Sequence, residues 1–197
     1  GHVLPGLAVA DALGGRATCV AACSERPVDA RILEAAGVPY RALPATPPVA
    51  RPAPAMRFVR GWHASFRRGA GLLREHAIDV VLATGGFVSP PVAAAARRAG
   101  IPVIALCLDA VPGRAIRLVG RLAVRRLAGI PVAGGSRPWR SAEVTGVPVR
   151  RAAIAPGDGS ARQQQARPEQ GEGDARGRPV QRDHEAGRRL ALKPEQQ

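Results

Sequence analysis

The chain has 197 residues, enough for one domain with a tail, and its 29 basic and 15 acidic residues give a formal net charge of +14. Three cysteines and four histidines show no metal-ligand spacing, no apolar run approaches the ~20 residues of a membrane-spanning helix, and the first residues lack the pattern of a signal peptide. The cysteine content excludes a disulfide framework and fits a reducing cytoplasm. The basic charge predicts attraction to phosphates or anionic lipid.

The charge is unevenly distributed along the chain. Residues 1–150 carry a net charge of +12, and residues 151–197 carry +2. The second part is rich in Gln, Arg, Gly and Pro. It contains too few large apolar residues for their burial to offset the entropy cost of ordering it. We therefore predict one folded domain over 1–150 and a disordered tail over 151–197. The abrupt loss of pattern after Arg150 also suggests that the tail is an out-of-frame translation.

Alternating apolar runs and helical patterns in the first 150 residues predict an α/β domain with a parallel sheet. Residues 44–55 contain five prolines and predict an extended excursion without regular structure. In chain order, the predicted elements are helix 4–13, strand 17–22, helix 29–36, strand 38–43, helix 57–76, strand 79–84, helix 91–99, strand 101–108, helix 115–127 and short strands near 131–133 and 143–145.

Four short motifs follow one another in this region. Residues 1–13 read GHVLPGLAVADAL, a Gly-His pair that leads into a helical pattern. Residues 83–91 read ATGGFVSPP, a strand end followed by a glycine pair and a helix start. Residues 106–114 read LCLDAVPGR, and residues 144–150 read VTGVPVR. Glycines let a backbone approach a phosphate or sugar, and a helix N-terminus favours negative charge, so the first two motifs are compatible with anion binding.

In this order, the motifs resemble the acceptor half of the MurG family, glycosyltransferases of the family 28 type. The matching family sequences are GGTGGH leading into HVFPALAVA, then TGGYVSGP, HEQNAVPG and VTGNPVR. The resemblance covers about residues 1–150. It implies a Rossmann-like parallel sheet, the N-terminal half of a GT-B glycosyltransferase. The family's first strand is missing here, because only the final Gly-His of its glycine-rich turn is present.

The resemblance also implies a reaction. The family transfers N-acetylglucosamine from UDP-N-acetylglucosamine to undecaprenyl-linked lipid I, which forms lipid II in peptidoglycan synthesis, and works as a peripheral protein on the cytoplasmic face of the cell membrane. His2 matches the position of a general base that accepts the proton of the acceptor hydroxyl. No metal and no cofactor is implied. The donor-binding positions are Gly1, Asp109 and Arg150, and the acceptor-binding positions are Gly85, Gly86 and Ser89.

Four stretches depart from the family pattern. Pro90 replaces a glycine and removes a backbone N–H donor. Residues 106–108 read Leu-Cys-Leu in place of His-Glu-Gln, and Asp109 replaces an asparagine. An ionised Asp accepts hydrogen bonds but cannot donate them, and it repels a diphosphate. Val147 replaces a second asparagine. Either the acceptor differs from that of the family or activity has been lost.

Two basic helical patterns favour an anionic membrane surface as a partner. Arginines recur every three or four residues from Arg114 to Arg125 and form one stripe, with apolar residues mainly off it. Residues 57–74 mix five arginines with Phe58, Trp62 and other apolar residues. For either helix alone, a solvated face over an ordinary core is an equal alternative. The peripheral membrane attachment of the MurG family favours membrane contact.

Three functions remain open from the sequence. The first is a fragment of a hexosyltransferase that is inactive alone because the donor domain is absent. The second is a non-catalytic module that binds the acceptor or docks on the membrane, with a donor-domain chain in trans. The third, a nucleic-acid binder, is suggested by charge alone, and we expect no nucleic-acid partner because motifs and stacking aromatic residues are lacking.

Overall fold

A computed structural model describes residues 3–47, 52–133 and 138–150 of the chain, all within one compact unit. The predictions for Gly1, His2 and the tail 151–197 lie outside the described residues. In chain order, the elements are α1 (Val3–Leu13), β1 (Ala21–Ser24), α2 (Pro27–Ala35), β2 (Tyr40–Leu43), α3 (Pro52–Glu75), β3 (Val81–Ala83), α4 (Ser89–Arg98), β4 (Val103–Cys107), α5 (Arg114–Leu122), β5 (Arg125–Ala128), a 3-10 turn (Trp139–Ser141) and β6 (Glu143–Val144).

The strands form two parallel sheets. Strand β1 pairs with β2, with Ala21 opposite Tyr40. The second sheet has the order β3-β4-β5-β6, and Val81 lies opposite Val103. Helices α2, α4 and α5 each connect two paired strands, which is the βαβ arrangement that parallel pairing requires. The α/β class with a parallel, Rossmann-like sheet is thereby confirmed.

Helices cover both faces of the smaller sheet. On one face, Cys23 of β1 packs with Leu7 of α1 and Leu33 of α2. On the other face, the fully buried Leu43 of β2 packs with two residues at the start of α4, Val88 and Val92. Helices on both faces suit β1, whose first three residues are Ala-Ala-Cys.

The larger core lies on one face of the four-stranded sheet. Alternate residues of β4 point into it, namely Val103, Ala105 and Cys107, all at most 1% exposed. Helices α4 and α5 contribute mostly alanine and valine, so their backbones can approach the sheet closely. Trp139 is 2% exposed in the same core and lies against Gly120 of α5. This contact fixes the segment after β5 to the rest of the domain.

Three predictions of secondary structure were wrong, two on helix bounds and one on a short strand. Helix α3 begins at Pro52, so residues 52–55 of the proline-rich segment are helical. Prolines are tolerated in a first helical turn because the N–H groups there have no partner within the helix. Helix α5 ends at Leu122, whereas the helix was predicted to reach residue 127.

The strand β5 takes the place of the predicted end of that helix. The N–H of Val124 donates to the carbonyl oxygen of Val103 at 2.8 Å, and Ala128 at the end of β5 is fully buried. Pairing with β4 thus outweighs local helix propensity, which is a weak preference. Arg125 consequently lies in a strand and not on the arginine stripe of α5, and the predicted strand near 131–133 does not form.

Candidate functional site

The carboxyl ends of parallel strands meet at one edge of a sheet, and open α/β sheets bind their ligands there. Three of the four motifs follow strands of the larger sheet at this edge. The glycine pair follows β3, the AVPG segment follows β4, and residues 145–150 follow β6. We call this edge, with its three following segments, the strand-end edge. The fold therefore gathers distant motifs on one side of the domain.

The turn after β3 depends on its two glycines. Gly85 and Gly86 have φ of 113° and 75°, a region that disfavours residues with a Cβ atom. The hydroxyl of Ser89, the first residue of α4, donates to the carbonyl oxygen of Gly85. Ser89 therefore holds the turn in shape, and its proton is already engaged with the protein.

The start of α4 is a poorer anion site than most helix N-termini. Pro90 and Pro91 occupy the second and third helical positions, and neither has an N–H group. Both prolines are buried, so they also pack this end of the helix against the core. An anion bound here would depend on the N–H groups of the glycine turn more than on those of the helix.

The segment after β4 combines a buried part with an exposed part. Leu106 and Cys107 are 3% and 1% exposed, so two of the residues that depart from the family pattern belong to the interior. Burial raises the pKa of the Cys107 thiol, and the charge of Asp109 raises it further, although a hydrogen bond to the Asp109 carbonyl acts in the other direction. The thiol is therefore protonated and is a poor nucleophile. Asp109 itself is exposed in the turn.

Arg150 is fixed to helix α1. Its Nε donates to Oδ2 of Asp11 at 2.9 Å, and the two side chains are 34% and 31% exposed. Sequence reasoning singled out Arg150 but missed Asp11. A signal was present, because Asp11 is the single charged residue in the otherwise apolar helix α1. Asp11 lies eight residues after Val3, roughly 12 Å along the helix axis.

Helix α3 carries a basic surface, and its residues differ from those of the strand-end edge. An open groove of about 520 Å³ on α3 is lined by apolar and basic residues, among them Val59, Arg60, His63 and Arg67. Val59 is 59% exposed, whereas Phe58, Trp62 and Phe66 are half-buried. Hence α3 presents arginines with few large apolar residues.

Helix α5 uses its apolar face for folding. Ile116 and Val119 are buried in the core, and Arg114, Arg117 and Arg121 are exposed. The predicted stripe is confirmed for these three arginines. Of the large apolar residues of α5, Leu118 is exposed, at 37%. Any contact of α5 with a membrane would therefore depend mainly on its arginines.

Within residues 3–47, 52–133 and 138–150, no group of three or more His, Cys, Asp or Glu side chains is arranged to hold a metal ion. No helix in this part of the chain is long and apolar enough to cross a membrane.

The sequence profile of the glycosyltransferase family 28 N-terminal domain matches residues 1–127. The chain belongs to glycosyltransferase family 28. This membership confirms the family predicted from the order of the motifs, and places the glycine turn, the AVPG segment and helix α1 within the matched region.

Two relatives are similar to this chain over most of the chain's length. Both are named UDP-N-acetylglucosamine--N-acetylmuramyl-(pentapeptide) pyrophosphoryl-undecaprenol N-acetylglucosamine transferase. The protein from Synechococcus sp. (strain CC9902) is 35% identical over 161 residues, which cover 76% of this chain and 42% of that protein. The protein from Clavibacter michiganensis subsp. michiganensis (strain NCPPB 382) is 38% identical over 159 residues, covering 77% and 41%.

A solved structure supports the fold. The crystal structure of MurG from Acinetobacter baumannii aligns with a TM-score of 0.59 at 24% identity, covering 74% of this chain and 42% of that chain. At this identity the match bears on the fold alone. This chain spans about two fifths of the length of the two relatives and of the solved structure.

Proposed function

We propose that the chain is the acceptor-side domain of an enzyme that transfers N-acetylglucosamine from UDP-N-acetylglucosamine to lipid I. The relatives that cover most of the chain carry the name of that transferase. The observation that carries the proposal is the strand-end edge, where the glycine turn, the exposed Asp109 and the segment ending at Arg150 follow parallel strands. Diphosphate-bearing substrates suit such an edge because it presents backbone N–H groups.

Each site residue has a role in this proposal. The N–H groups at Gly85 and Gly86 would receive the diphosphate of the lipid acceptor, with Ser89 holding the turn. Asp109 and Gly1 would lie on the donor side, and Arg150 would bind the donor diphosphate. The reaction needs a bound acceptor, a bound leaving group and a base.

The chemistry needs one proton acceptor. The acceptor hydroxyl oxygen forms a bond to C1 of the sugar while the bond from C1 to the diphosphate of UDP breaks. His2 would take the hydroxyl proton as general base. UDP leaves with the electron pair, and a positive side chain such as Arg150 stabilises the charge on its diphosphate. No metal or cofactor enters this scheme.

We expect little transfer by the chain alone. The region shared with this chain is 42% and 41% of the length of the two relatives. A donor-domain chain in trans is the corresponding partner.

The arginines of α3 and α5 support an anionic membrane surface as a further partner. Each Arg close to an anionic leaflet contributes about 1 kcal/mol of attraction. The acceptor proposed above is membrane-bound, so a peripheral position at the cytoplasmic face would bring the domain to its substrate.

A second function, a non-catalytic module that binds the acceptor or docks on the membrane, is favoured by one observation. Leu106 and Cys107 occupy positions where the family pattern has polar residues, and both are buried. Buried apolar side chains cannot donate hydrogen bonds to a sugar nucleotide. The module would keep the glycine turn and lose the catalytic step.

A transfer assay separates the two functions. The full chain is mixed with radiolabelled UDP-N-acetylglucosamine and lipid I in detergent, with and without the separately produced C-terminal half of the Clavibacter relative. Product that appears only when both proteins are present supports the enzyme. Lipid I binding without transfer under every condition supports the non-catalytic module, and absence of lipid I binding contradicts both.

A further inference from the structure

We propose that Asp11 is a positioning residue for Arg150, which it holds so that the two Nη groups of the guanidinium are presented to the donor diphosphate. This inference rests on the proposed function, in which Arg150 binds that diphosphate. In this role Asp11 acts through Arg150 and does not touch the substrates.

The place of Asp11 in helix α1 is unfavourable for a carboxylate. Asp11 lies in the last turn of the helix, where the negative end of the helix dipole disfavours an acidic side chain, and this turn has no basic residue. Arg16, the nearest arginine along the chain, donates to the carbonyl oxygens of Leu13 and Ala12 at 3.1 and 3.4 Å. The Asp11 carboxylate is therefore paired with an arginine distant in sequence, Arg150.

The contact between the two side chains uses one edge of the guanidinium. Nε of Arg150 donates to Oδ2 of Asp11 at 2.9 Å. With the carboxylate on Nε, the two Nη groups at the end of the fork can bind a second anion through parallel hydrogen bonds. Both side chains are partly exposed, so a ligand in solution can reach this end of the guanidinium.

The backbone before Arg150 is fixed at the end of the larger sheet. The N–H of Thr145 donates to the carbonyl oxygen of Ala128 at 2.9 Å. Val147 lies against Gly129, where an added Cβ would be 3.0 Å from Val147 Cγ2. These contacts hold the backbone up to three residues before Arg150, and the ion pair fixes the long side chain that follows.

An arginine that is ordered before its ligand arrives binds that ligand more tightly, because less side-chain freedom is lost on binding. Asp11 orders Arg150 in this way. The charge of Asp11 has the opposite effect, since a carboxylate repels a diphosphate. The direction in which affinity changes when Asp11 is removed therefore distinguishes positioning from simple electrostatics.

The test measures the affinity of the full chain for inorganic diphosphate by isothermal titration calorimetry. Arg150→Gln should weaken binding by about tenfold or more, because a charge-assisted hydrogen bond is lost. We expect Asp11→Ala to raise the Kd about two- to tenfold, although it removes a negative charge. Alanine has the best helix propensity, so this variant should fold, and its unfolding midpoint is measured in parallel.

Two further variants separate the position of the carboxylate from its charge. Asp79→Ala removes the same charge at an exposed site before β3 and should leave the affinity unchanged or slightly higher. Asp11→Glu keeps a carboxylate on α1 and should restore most of the affinity lost in Asp11→Ala.

The Nε–Hε signal of Arg150 in the NMR spectrum, assigned by its loss in Arg150→Gln, gives a second readout. In the wild-type chain we expect this signal to keep its chemical shift when diphosphate binds, because Asp11 retains Nε while the Nη groups take the ligand. In Asp11→Ala the same signal should move on binding.

Two kinds of failure can be told apart. Equal or tighter binding by Asp11→Ala, no recovery in Asp11→Glu, or a wild-type Nε–Hε signal that moves as in Asp11→Ala overturns this inference alone, as long as Arg150→Gln binds weakly. Equal binding by Arg150→Gln and the wild-type chain removes Arg150 from the proposed function, and the positioning role of Asp11 with it.

Discussion

Arg150 and Asp11 are 139 residues apart in the sequence and form an ion pair with 2.9 Å between Nε and Oδ2. The pair joins the last described segment to the first helix. The pair engages the Nε of the Arg150 guanidinium. The two Nη groups of this side chain carry further N–H donors, and donors in this fork geometry suit a diphosphate. A carboxylate that holds the arginine through Nε orients this fork.

We predict that Asp11 and Arg150 are energetically coupled. In a double-mutant cycle of Asp11→Asn and Arg150→Gln, we expect a coupling energy of about 0.5–1 kcal/mol in urea unfolding, toward the upper end for a partly exposed pair. The control cycle uses Arg125 and Glu143, whose side chains are 68% and 58% exposed in their ion pair. A coupling at Asp11 no larger than that of the control would contradict the prediction.

Asp29 should make the stability of the domain depend on acid. It is 5% exposed; burial by itself raises its pKa, but hydrogen bonds from Ser24 and Arg26 lower it more, so the net pKa lies below the usual value. A carboxyl with a lowered folded-state pKa stabilises the fold above its unfolded pKa, and this stability is lost as the pH falls through the folded-state value.

The test compares the urea midpoint from pH 7 to pH 2 for the wild-type chain and Asp29→Asn. We expect the variant to lose about 1–3 kcal/mol at pH 7, and the difference between the two proteins to shrink at the acid end. The exposed Asp79→Asn serves as the control for removal of a charge. A difference that stays constant over this range would show that ionisation of Asp29 contributes nothing.

Much of the framework could be predicted from the sequence, because apolar runs, prolines and glycine stops report local preferences. The helix α4 and the strand β4 came close to their predicted bounds for this reason. The boundary between α5 and β5 could not be predicted, since residues 125–128 continue a helical pattern and only pairing with β4 makes them a strand. The same limit applies to Asp11, whose partner lies at the other end of the domain.

The contact between Gly120 and Trp139 predicts the effect of a single methyl group. A Cβ at Gly120 would lie 2.9 Å from Trp139 Nε1 and 3.0 Å from Cε2. We expect Gly120→Ala to destabilise the domain by about 1–3 kcal/mol in spite of the better helix propensity of alanine. Gly6→Ala, in helix α1 with nothing within 4 Å of its new Cβ, should instead stabilise by up to about 1 kcal/mol. Equal effects in chemical denaturation would refute the packing argument.

Membrane attraction should depend on where the arginines lie. Arg60→Gln with Arg67→Gln removes two charges from the α3 groove, next to the exposed Val59. We expect binding to vesicles containing phosphatidylglycerol to weaken by about 2 kcal/mol, roughly 30-fold. The matched variant, Arg97→Gln with Arg98→Gln at the end of α4, has the same change in charge at a different place. Equal losses in co-sedimentation would indicate attraction by net charge alone.

The most direct test of the proposed function is equilibrium binding of lipid I to the chain and to two glycine variants. Gly86 and Gly100 both have φ of 75°, so alanine introduces similar backbone strain at each, but Gly86 lies at the strand-end edge and Gly100 at the far end of α4. We expect Gly86→Ala to weaken binding by about tenfold or more, and Gly100→Ala to leave affinity unchanged, since it alters stability alone. Equal affinities for both variants and the wild-type chain would contradict the placement of the acceptor diphosphate at the glycine turn.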